Sequence, residues 1–396
     1  MNAAPEGFGP WNPGIESQLP RQFLPLSTMF RPENVRTTVA QAEELHDLTG
    51  IELFDLVAFR PERLALHEVL VRVTADLSVP SGSRVEDLGI NFRRMGNTLL
   101  VNHLAARMAD IAAAYDALRL SLTATIAAEL AERIFPPTTV LAPPDSERRP
   151  GFLQRLFRPT PRLEPGSTQA DPEVAIAAWR NAAQSAADDS RMHAAACRAL
   201  ARVVGSIVGR HGRVWGTPEL LAAVTTDMAC NDWGSEEIGR LIEPWFIEGA
   251  REEGYRRLPA QARPVIMNTK GASAAGKRTM RPEQEMLAQR IGVDWRDFAL
   301  ISPDIWRKQL LDYESLGAAY KYGGACTGDE LQLIDHKLDR YMARKAERHA
   351  TNHLLIDRFR FDSFAPESAE AGSNLLTRFG HAVYMFFMIT PPESIV

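Results

Sequence analysis

The sequence predicts a mainly α-helical N-terminal region and a C-terminal α/β domain built on a parallel sheet. Before residue 260, apolar residues recur at intervals of three and four, which is typical of amphipathic helices. From Pro264, short apolar runs alternate with helical stretches, which is typical of βαβ units. A glycine-rich segment with a lysine follows the first of these runs. Together these observations favour a three-layer α/β core in the last third of the chain.

The composition is that of an ordinary globular protein. The chain has 396 residues, 45% of them hydrophobic and 24% charged. At roughly 100–200 residues per domain, about two or three domains are expected. The formal net charge of −5 gives no general attraction for nucleic acid or for an anionic membrane. We therefore do not expect nucleic acid to be a partner.

The cysteines and the N-terminus indicate a cytoplasmic protein, although secretion as an effector stays open. Cys197, Cys230 and Cys326 are far apart and form no CxxC pair, which argues against a disulfide framework and against a zinc site. The first residues lack the basic and apolar segments of a signal peptide. The longest apolar run, 382–389, is shorter than the roughly 20 residues of a membrane helix, so no membrane span is expected.

Changes in composition predict five regions. Residues 1–35 are rich in Pro, Gly and Asn and form an extended arm, and 36–135 form a helical domain. Residues 136–172 hold nine prolines, which excludes a packed helix or sheet and indicates a linker. A second helical region covers 173–260, and the α/β domain covers 261–396.

The helices of the N-terminal part follow from apolar spacing and from start signals. The segment from Thr38 is typical of a helix start, and Asp171 followed by Pro172 and Glu173 forms another. The predicted helices begin at Thr38 or span Leu64–Leu77, Asn97–Ile134, 173–208, Pro218–Met228 and Ser235–Arg257.

The elements of the α/β domain follow from short apolar runs with helical stretches between them. A continuous apolar run is typical of a parallel strand that is buried on both faces. The predicted strands are Pro264–Asn268, Phe298–Ser302, His353–Ile356 and Ala382–Ile389, and the predicted helices are Pro282–Ile291, Ile305–Tyr313 and Glu330–Arg348.

The strongest chemical signal is the segment GASAAGKRT, which follows a predicted strand and precedes a predicted helix. In that context backbone N–H groups and the helix N-terminus cradle a phosphate, and the lysine neutralises the β- and γ-phosphates. The alternative is a turn that binds nothing. The predicted phosphate-binding residues are Gly271, Ala272, Ser273, Ala274, Ala275, Gly276, Lys277, Arg278 and Thr279.

The position after Lys277 departs from the usual pattern. A Ser or Thr normally stands there and holds Mg²⁺ through its hydroxyl, but this chain has Arg278, with Thr279 one residue later. A helix turns about 100° per residue, so Thr279 does not simply take over. Ser273 or Thr279 then helps to hold the metal, or the metal site is weakened, or Arg278 itself contacts phosphate.

Acidic residues follow the second and third predicted strands. Asp304 is placed to accept a proton from an acceptor hydroxyl, and Arg307 to position that acceptor. Asp357 is the candidate for orienting a metal ion, and Arg358 and Arg360 for facing an anionic substrate. The alternatives are a helix cap at Asp304 and a strand-end salt bridge at Asp357.

In this order, VIMNTKGASAAGKRT, FALISPDIWR, LLIDRFRFDS and HAVYMFFMITPPES resemble the zeta-toxin and polynucleotide-kinase group of P-loop kinases. The resemblance covers 264–396, about a third of the chain. It implies a P-loop kinase-like domain that uses ATP or GTP with Mg²⁺ to phosphorylate a hydroxyl of a nucleotide, nucleotide-sugar or similar acceptor. Asp304, Arg307 and Lys277 would be catalytic, and an antitoxin or other protein could bind the helical region.

The family continues with a helical lid after the fourth strand, whereas this sequence ends at Val396. We therefore expect a shortened core whose closing arginine comes from Arg358, Arg360, the helical region or another chain. Two alternatives to an active kinase stay open. One is a nucleotide-binding pseudokinase that regulates a partner, and the other is a helical interaction protein with a structural P-loop.

Overall fold

The computed structural model describes residues 19–82, 84, 86–136, 171–184, 191–270, 280–357 and 382–387. Most of these residues are helical, and a small parallel sheet lies in the last third, so the expected combination of a mainly α protein with a small α/β part is confirmed. In the part of the chain that is described, no helix has the length and apolar character needed to cross a membrane.

The helices begin where the sequence supplies start signals. Thr38 and Gln41 form a reciprocal cap, in which the Gln41 backbone N–H donates to Thr38 Oγ1 at 3.3 Å and the Thr38 backbone N–H to Gln41 Oε1 at 2.9 Å. The helices are α1 Val39–Thr49, α2 Pro61–Asp76, α3 Asp87–Thr98, α4 Met108–Arg133, α5 Pro172–Gln184, α6 Arg191–His211, α7 Pro218–Ala229, α8 Ser235–Glu252, α9 Arg281–Arg290, α10 Arg307–Leu310, α11 Gly323–Cys326 and α12 Gly328–Glu347.

Two predicted helices need correction. The stretch Asn97–Ile134 is not one helix, because a π-helical turn at Leu99–Leu104 separates α3 from α4. The predicted helix Ile305–Tyr313 ends at Leu310. Leu311 is extended and Asp312 starts a new 3₁₀ segment by accepting a hydrogen bond from the Glu314 backbone N–H at 3.1 Å. An aspartate at that position favours a new start over continuation of the helix.

The sheet has four parallel strands: β1 Val265–Lys270, β2 Phe298–Ile301, β3 His353–Ile356 and β4 Ala382–Phe387. Their order is β2-β3-β1-β4. Ile266 pairs with Leu354 of β3 and with Val383 of β4, so β1 lies inside the sheet. β2 and β3 are buried throughout, which explains why both are continuous apolar runs in the sequence.

The chain forms two compact units. The larger unit contains the described residues of 1–43, 53–118 and 230–396, and the smaller unit contains those of 44–52 and 119–229. Each unit joins segments that are distant in the sequence. The five regions predicted from composition are continuous in the sequence and do not correspond to these units, so they stay predictions.

Helix α2 is the central helix of the larger unit. Thirteen of its sixteen residues are buried, and it packs against α8, α12 and β2. Its buried residues include Arg63, His67, Glu68 and Arg72. Because a buried charge is costly unless it is paired, each of these side chains needs a partner. Glu68 and Arg72 pair with each other within α2 at 2.6 Å, and the partners of Arg63 and His67 come from α12.

Candidate functional site

The carboxyl ends of β1, β2 and β3 meet at one edge of the sheet, because the strands are parallel. The glycine-rich segment follows β1 directly, Asp357 follows β3 directly, and Asp304 lies three residues beyond the end of β2. Neighbouring strands are about 4.8 Å apart, so the ends of β1 and β2 are separated by about 10 Å with β3 between them. This edge gathers the acidic residues that the sequence analysis had singled out.

The strand order also places a topological switch point at this edge. The chain leaves β1 towards β2 in one direction along the sheet, and it leaves β3 towards β4 in the opposite direction. In open α/β sheets, ligands bind outside the carboxyl ends of two adjacent strands whose connections leave in opposite directions along the sheet. The adjacent pair β1 and β3 meets that condition.

Asp357 is held at this edge of the sheet by its backbone and its side chain. Its backbone N–H donates to the Ile301 carbonyl at 2.9 Å, which extends the ladder between β2 and β3 by one bond. Its carboxylate is buried and accepts a long hydrogen bond, 3.5 Å, from Arg281 at the start of α9. Asp357 thus has a salt-bridge partner, as the alternative reading of this residue predicted.

Polar side chains continue from Asp357 along β1 and α9. The register places Thr269 level with Asp357, and Thr269 Oγ1 accepts a hydrogen bond from Gln284 Nε2 at 2.6 Å. Asn268 is fully buried, and neither its amide nitrogen nor its oxygen has a hydrogen-bond partner among the described residues. Buried side-chain amides without a hydrogen-bond partner are rare in proteins, and a bound ligand or water is the usual partner in such cases.

Asp304 and Arg307 lie close together at the end of β2. Asp304 is exposed, and Arg307 Nε donates to its Oδ1 at 2.9 Å. The same guanidinium donates to the Gly324 carbonyl at 2.6 Å and to Thr327 Oγ1 at 2.8 Å. Arg307 therefore fixes the orientation of the Asp304 carboxylate against the start of α12.

The other predicted site residues lie outside the described residues. They comprise the phosphate-binding segment and the two arginines that follow Asp357: Gly271, Ala272, Ser273, Ala274, Ala275, Gly276, Lys277, Arg278, Thr279, Arg358 and Arg360.

The sequence analysis missed a buried ionic cluster between α2 and α12. Glu330 is fully buried and accepts two hydrogen bonds from Arg63, at 2.5 and 2.7 Å, and one from His67 Nε2 at 2.7 Å. Burial alone would raise the pKa of Glu330, but the charge of Arg63 and these hydrogen bonds hold it well below its ordinary range. The Glu330 carboxylate is therefore ionised inside the protein.

The cluster continues through Lys337 to α8. Lys337 Nζ donates to His67 Nδ1 at 3.0 Å and to Ser235 Oγ at 2.8 Å, and Ser235 Oγ donates to Glu68 at 2.7 Å. Burial lowers the pKa of Lys337 to about 8. Burial and the nearby Lys337 charge lower the pKa of His67 to about 4, so His67 is neutral at pH 7. Each side chain named in this cluster has a hydrogen-bond partner among the described residues. The cluster is therefore a structural element of the larger unit.

A second cluster that the sequence analysis missed lies in the smaller unit. Glu129 of α4 accepts hydrogen bonds at 2.8 Å from Arg133 Nε, from Trp179 Nε1 and from His193 Nε2. Cys197 Sγ lies 3.6 Å from His193 Nε2. His193 and Cys197 are four residues apart on α6, a spacing that places both side chains on one helix face and could have indicated the pair from sequence.

Comparisons of the chain with protein-family models, with curated proteins and with solved structures found no significant match.

Proposed function

We propose that the α/β part of the chain is a zeta-toxin-like kinase. It binds ATP or GTP at the carboxyl edge of the sheet and transfers the terminal phosphate to a hydroxyl of a nucleotide, nucleotide-sugar or similar acceptor. The observation that carries this proposal is the strand order. It sets β1, which leads into GASAAGKRT, beside β3, which leads into Asp357, and the connections that leave these two strands run in opposite directions along the sheet.

Phosphate binding follows from the position of the glycine-rich segment. Residues 271–279 join the end of β1 to the region before α9, which is the context in which such a segment cradles phosphate. Lys277 is the side chain that would neutralise the β- and γ-phosphates. Arg278 would add a second positive charge next to it.

One described residue, Asp357, has the chemistry of a magnesium ligand. Asp357 is a buried carboxylate at the end of the strand beside β1 and accepts a 3.5 Å hydrogen bond from Arg281. Carboxylate oxygens are the ligands that a hard cation such as Mg²⁺ prefers. When bound, Mg²⁺ would neutralise charge on the triphosphate. Thr279 is the hydroxyl residue expected to assist.

The acceptor would lie beside Asp304. Asp304 is exposed and can receive a proton from an acceptor hydroxyl, while Arg307 keeps its carboxylate in one orientation. The separation of about 10 Å between the ends of β1 and β2 leaves room for a transferring phosphate and an acceptor between the loop and Asp304. Asp304 is thus proposed as the general base and Arg307 as its positioning residue.

A titration of the full chain with ATP and with GTP, by calorimetry in the presence and absence of Mg²⁺, tests nucleotide binding. We expect binding by the wild type and a loss of about tenfold or more in Lys277→Ala. Arg290→Ala is the matched control, because Arg290 is an exposed cation at the far end of α9. If the wild type binds neither nucleotide, the kinase and pseudokinase readings both fail, and the helical interaction protein remains.

A turnover assay separates the active kinase from the pseudokinase. With nucleotide acceptors supplied, Asp304→Asn should abolish consumption of ATP while leaving ATP binding intact, and exposed Glu314→Gln should change neither. Unchanged turnover in Asp304→Asn would remove Asp304 as the base. Binding that is independent of Mg²⁺ and never leads to turnover would favour the pseudokinase, in which Arg278 takes the place of the metal-binding hydroxyl residue.

A further inference from the structure

The Glu129, His193 and Cys197 side chains of the smaller unit bring a carboxylate, an imidazole and a thiol together. One ligand atom from each lies within 4.8 Å of the other two. Two of them come from one face of α6 and the third from α4. We propose that these three residues bind a divalent transition-metal ion, with zinc as the physiological class. This site is independent of the kinase proposal and shares no residue with it.

The distances match the size of such a site. A tetrahedral zinc ion with Zn–S of about 2.3 Å and Zn–N of about 2.05 Å holds its sulfur and nitrogen ligands about 3.5 Å apart. Cys197 Sγ and His193 Nε2 already lie 3.6 Å apart. Glu129 Oε1 and His193 Nε2 are hydrogen-bonded at 2.8 Å in the metal-free structure. On metal binding, the distance between these two atoms has to increase to about 3.4 Å. A small rotation of the half-exposed His193 provides that change.

The surrounding residues hold the carboxylate in a suitable orientation. Trp179 Nε1 and Arg133 Nε both donate to Glu129 Oε2, which leaves Oε1 directed towards His193. Hydrogen bonds of this kind, made to the outer side of a ligand, fix its orientation in metal sites. The pairing with Arg133 also offsets part of the negative charge that the carboxylate and a thiolate would bring together.

The chemistry of the donors selects the class of metal. A thiolate with an imidazole and one carboxylate oxygen suits zinc and its neighbours in the first transition row, whereas Mg²⁺ and Ca²⁺ prefer oxygen ligands alone. Three protein ligands leave a fourth position for water, and the exposure of His193 gives the ion a path from solvent. The absence of a CxxC motif had argued against zinc, but that argument considered cysteine pairs only.

Binding has to displace a proton from the thiol. Sulfur binds a divalent transition-metal ion as the thiolate, whereas Cys197 is a buried thiol before binding. On binding, the sulfur loses its proton to solvent and the imidazole hydrogen moves from Nε2 to Nδ1. About one proton is therefore released for each ion bound, and affinity rises with pH.

Cobalt(II) serves as the probe, because a thiolate bound to cobalt gives a charge-transfer band in the near ultraviolet. The metal-stripped full chain is titrated with Co²⁺, and Zn²⁺ is then added to displace it. We expect a saturable band at one ion per chain that Cys197→Ser abolishes and Cys326→Ser retains. His193→Gln should weaken Co²⁺ binding by about tenfold or more, and His211→Gln, at the end of the same helix, should not.

Two results would overturn the site. One is cobalt binding by the wild type without a thiolate band, and the other is a band that persists in Cys197→Ser. Because Cys197 is fully buried, Cys197→Ser is checked for unchanged helix content by circular dichroism. His193 is half exposed, so His193→Gln tests the same site with little risk to folding.

Discussion

Glu330 in the larger unit and Glu129 in the smaller unit accept hydrogen bonds from similar donors but lie in different surroundings. Each is bound by an arginine and a histidine. Glu330 is completely buried, and the histidine it binds is completely buried too. Glu129 is largely buried, but the side chains of its partners His193 and Arg133 are 45% and 36% exposed.

The difference in burial decides what each glutamate can do. The second ring nitrogen of His67 is occupied by Lys337, so the Glu330 cluster is closed on every side that the structure describes. His193 instead faces solvent on one side and the thiol of Cys197 on the other. A closed cluster specifies how helices pack, whereas an open one keeps donor atoms available for a ligand.

The largest expected effect is the loss of the Glu330 charge. Glu330→Gln leaves the guanidinium of Arg63 buried without its counter-ion, which typically costs about 3–5 kcal/mol. Urea unfolding followed by circular dichroism measures the change in free energy of unfolding. Glu347→Gln, at the exposed end of the same helix, should change it by less than about 0.5 kcal/mol. Equal effects in the two variants would contradict a closed ionic cluster.

Acid should weaken the same cluster through His67. The folded protein keeps His67 neutral down to a pKa of about 4, while the unfolded chain takes up that proton near pH 6.5. The stability due to the neutral His67 is therefore complete above pH 6.5 and is lost as the pH falls towards 4. Of the groups that face His67, Glu330 has a pKa well below its ordinary range and Lys337 has a pKa of about 8, so neither titrates between pH 6.5 and 5.

Urea midpoints at half-unit steps from pH 7.5 to 5 measure this dependence. In His67→Gln the midpoint should fall less over that interval than in the wild type, because the residue that gains a proton on unfolding is absent. A parallel fall in the two proteins would mean that other histidines cause the acid sensitivity.

A methyl group added beside the Glu68–Arg72 pair should lower the stability of the protein by a moderate amount. A methyl group added at Gly239 of α8 would meet the Glu68 carboxylate and lie 2.7 Å from the terminal nitrogens of Arg72. Overpacking of this kind costs about 1–3 kcal/mol, so Gly239→Ala should lower the urea midpoint. Gly209→Ala is the control, because nothing lies within 4 Å of that added methyl group and alanine favours the helix. A neutral Gly239→Ala would show that α8 can shift away.

The strands could be predicted from the sequence, but their order could not. FALI and HLLI are continuous apolar runs because β2 and β3 are buried on both faces, and both were placed to within one residue. The insertion of β3 between β2 and β1 depends on packing between distant segments, which periodicity does not contain. The same holds for the candidate site: Asp304 and Asp357 could be named from the sequence, but the pairing of β1 with β3 could not.

The two clusters escaped prediction for different reasons. Helix α12 contains many charged residues, and charged residues are nearly always exposed, so the burial of Glu330 and Lys337 contradicts the usual tendency. The second cluster needs Glu129, which lies more than 60 residues before His193. Only the spacing of His193 and Cys197 was visible locally, and that spacing is common by chance.

The smallest expected effect is the loss of the Glu129 charge in the metal-free protein. Burial alone would raise the pKa of Glu129, but hydrogen bonds from His193, Arg133 and Trp179 hold it below its ordinary value, so the wild type has a carboxylate there. Glu129→Gln keeps an acceptor for Trp179, and the exposed sides of His193 and Arg133 can bind water instead. In the presence of a chelator we therefore expect a loss of about 1 kcal/mol, well below that of Glu330→Gln.

Zinc then makes the contrast between the two clusters sharper. At a concentration of about 100 times the dissociation constant, a bound ion should stabilise the wild type by about 2.7 kcal/mol. Glu129→Gln should gain less, because a neutral amide oxygen is a weaker ligand than a carboxylate. Glu330→Gln should gain as much as the wild type, since its defect lies in the closed cluster. The opposite result would be that metal-free Glu129→Gln loses as much free energy of unfolding as Glu330→Gln. Exposure of the partners would then not reduce the cost of removing the charge, and the distinction between an open and a closed cluster would fail.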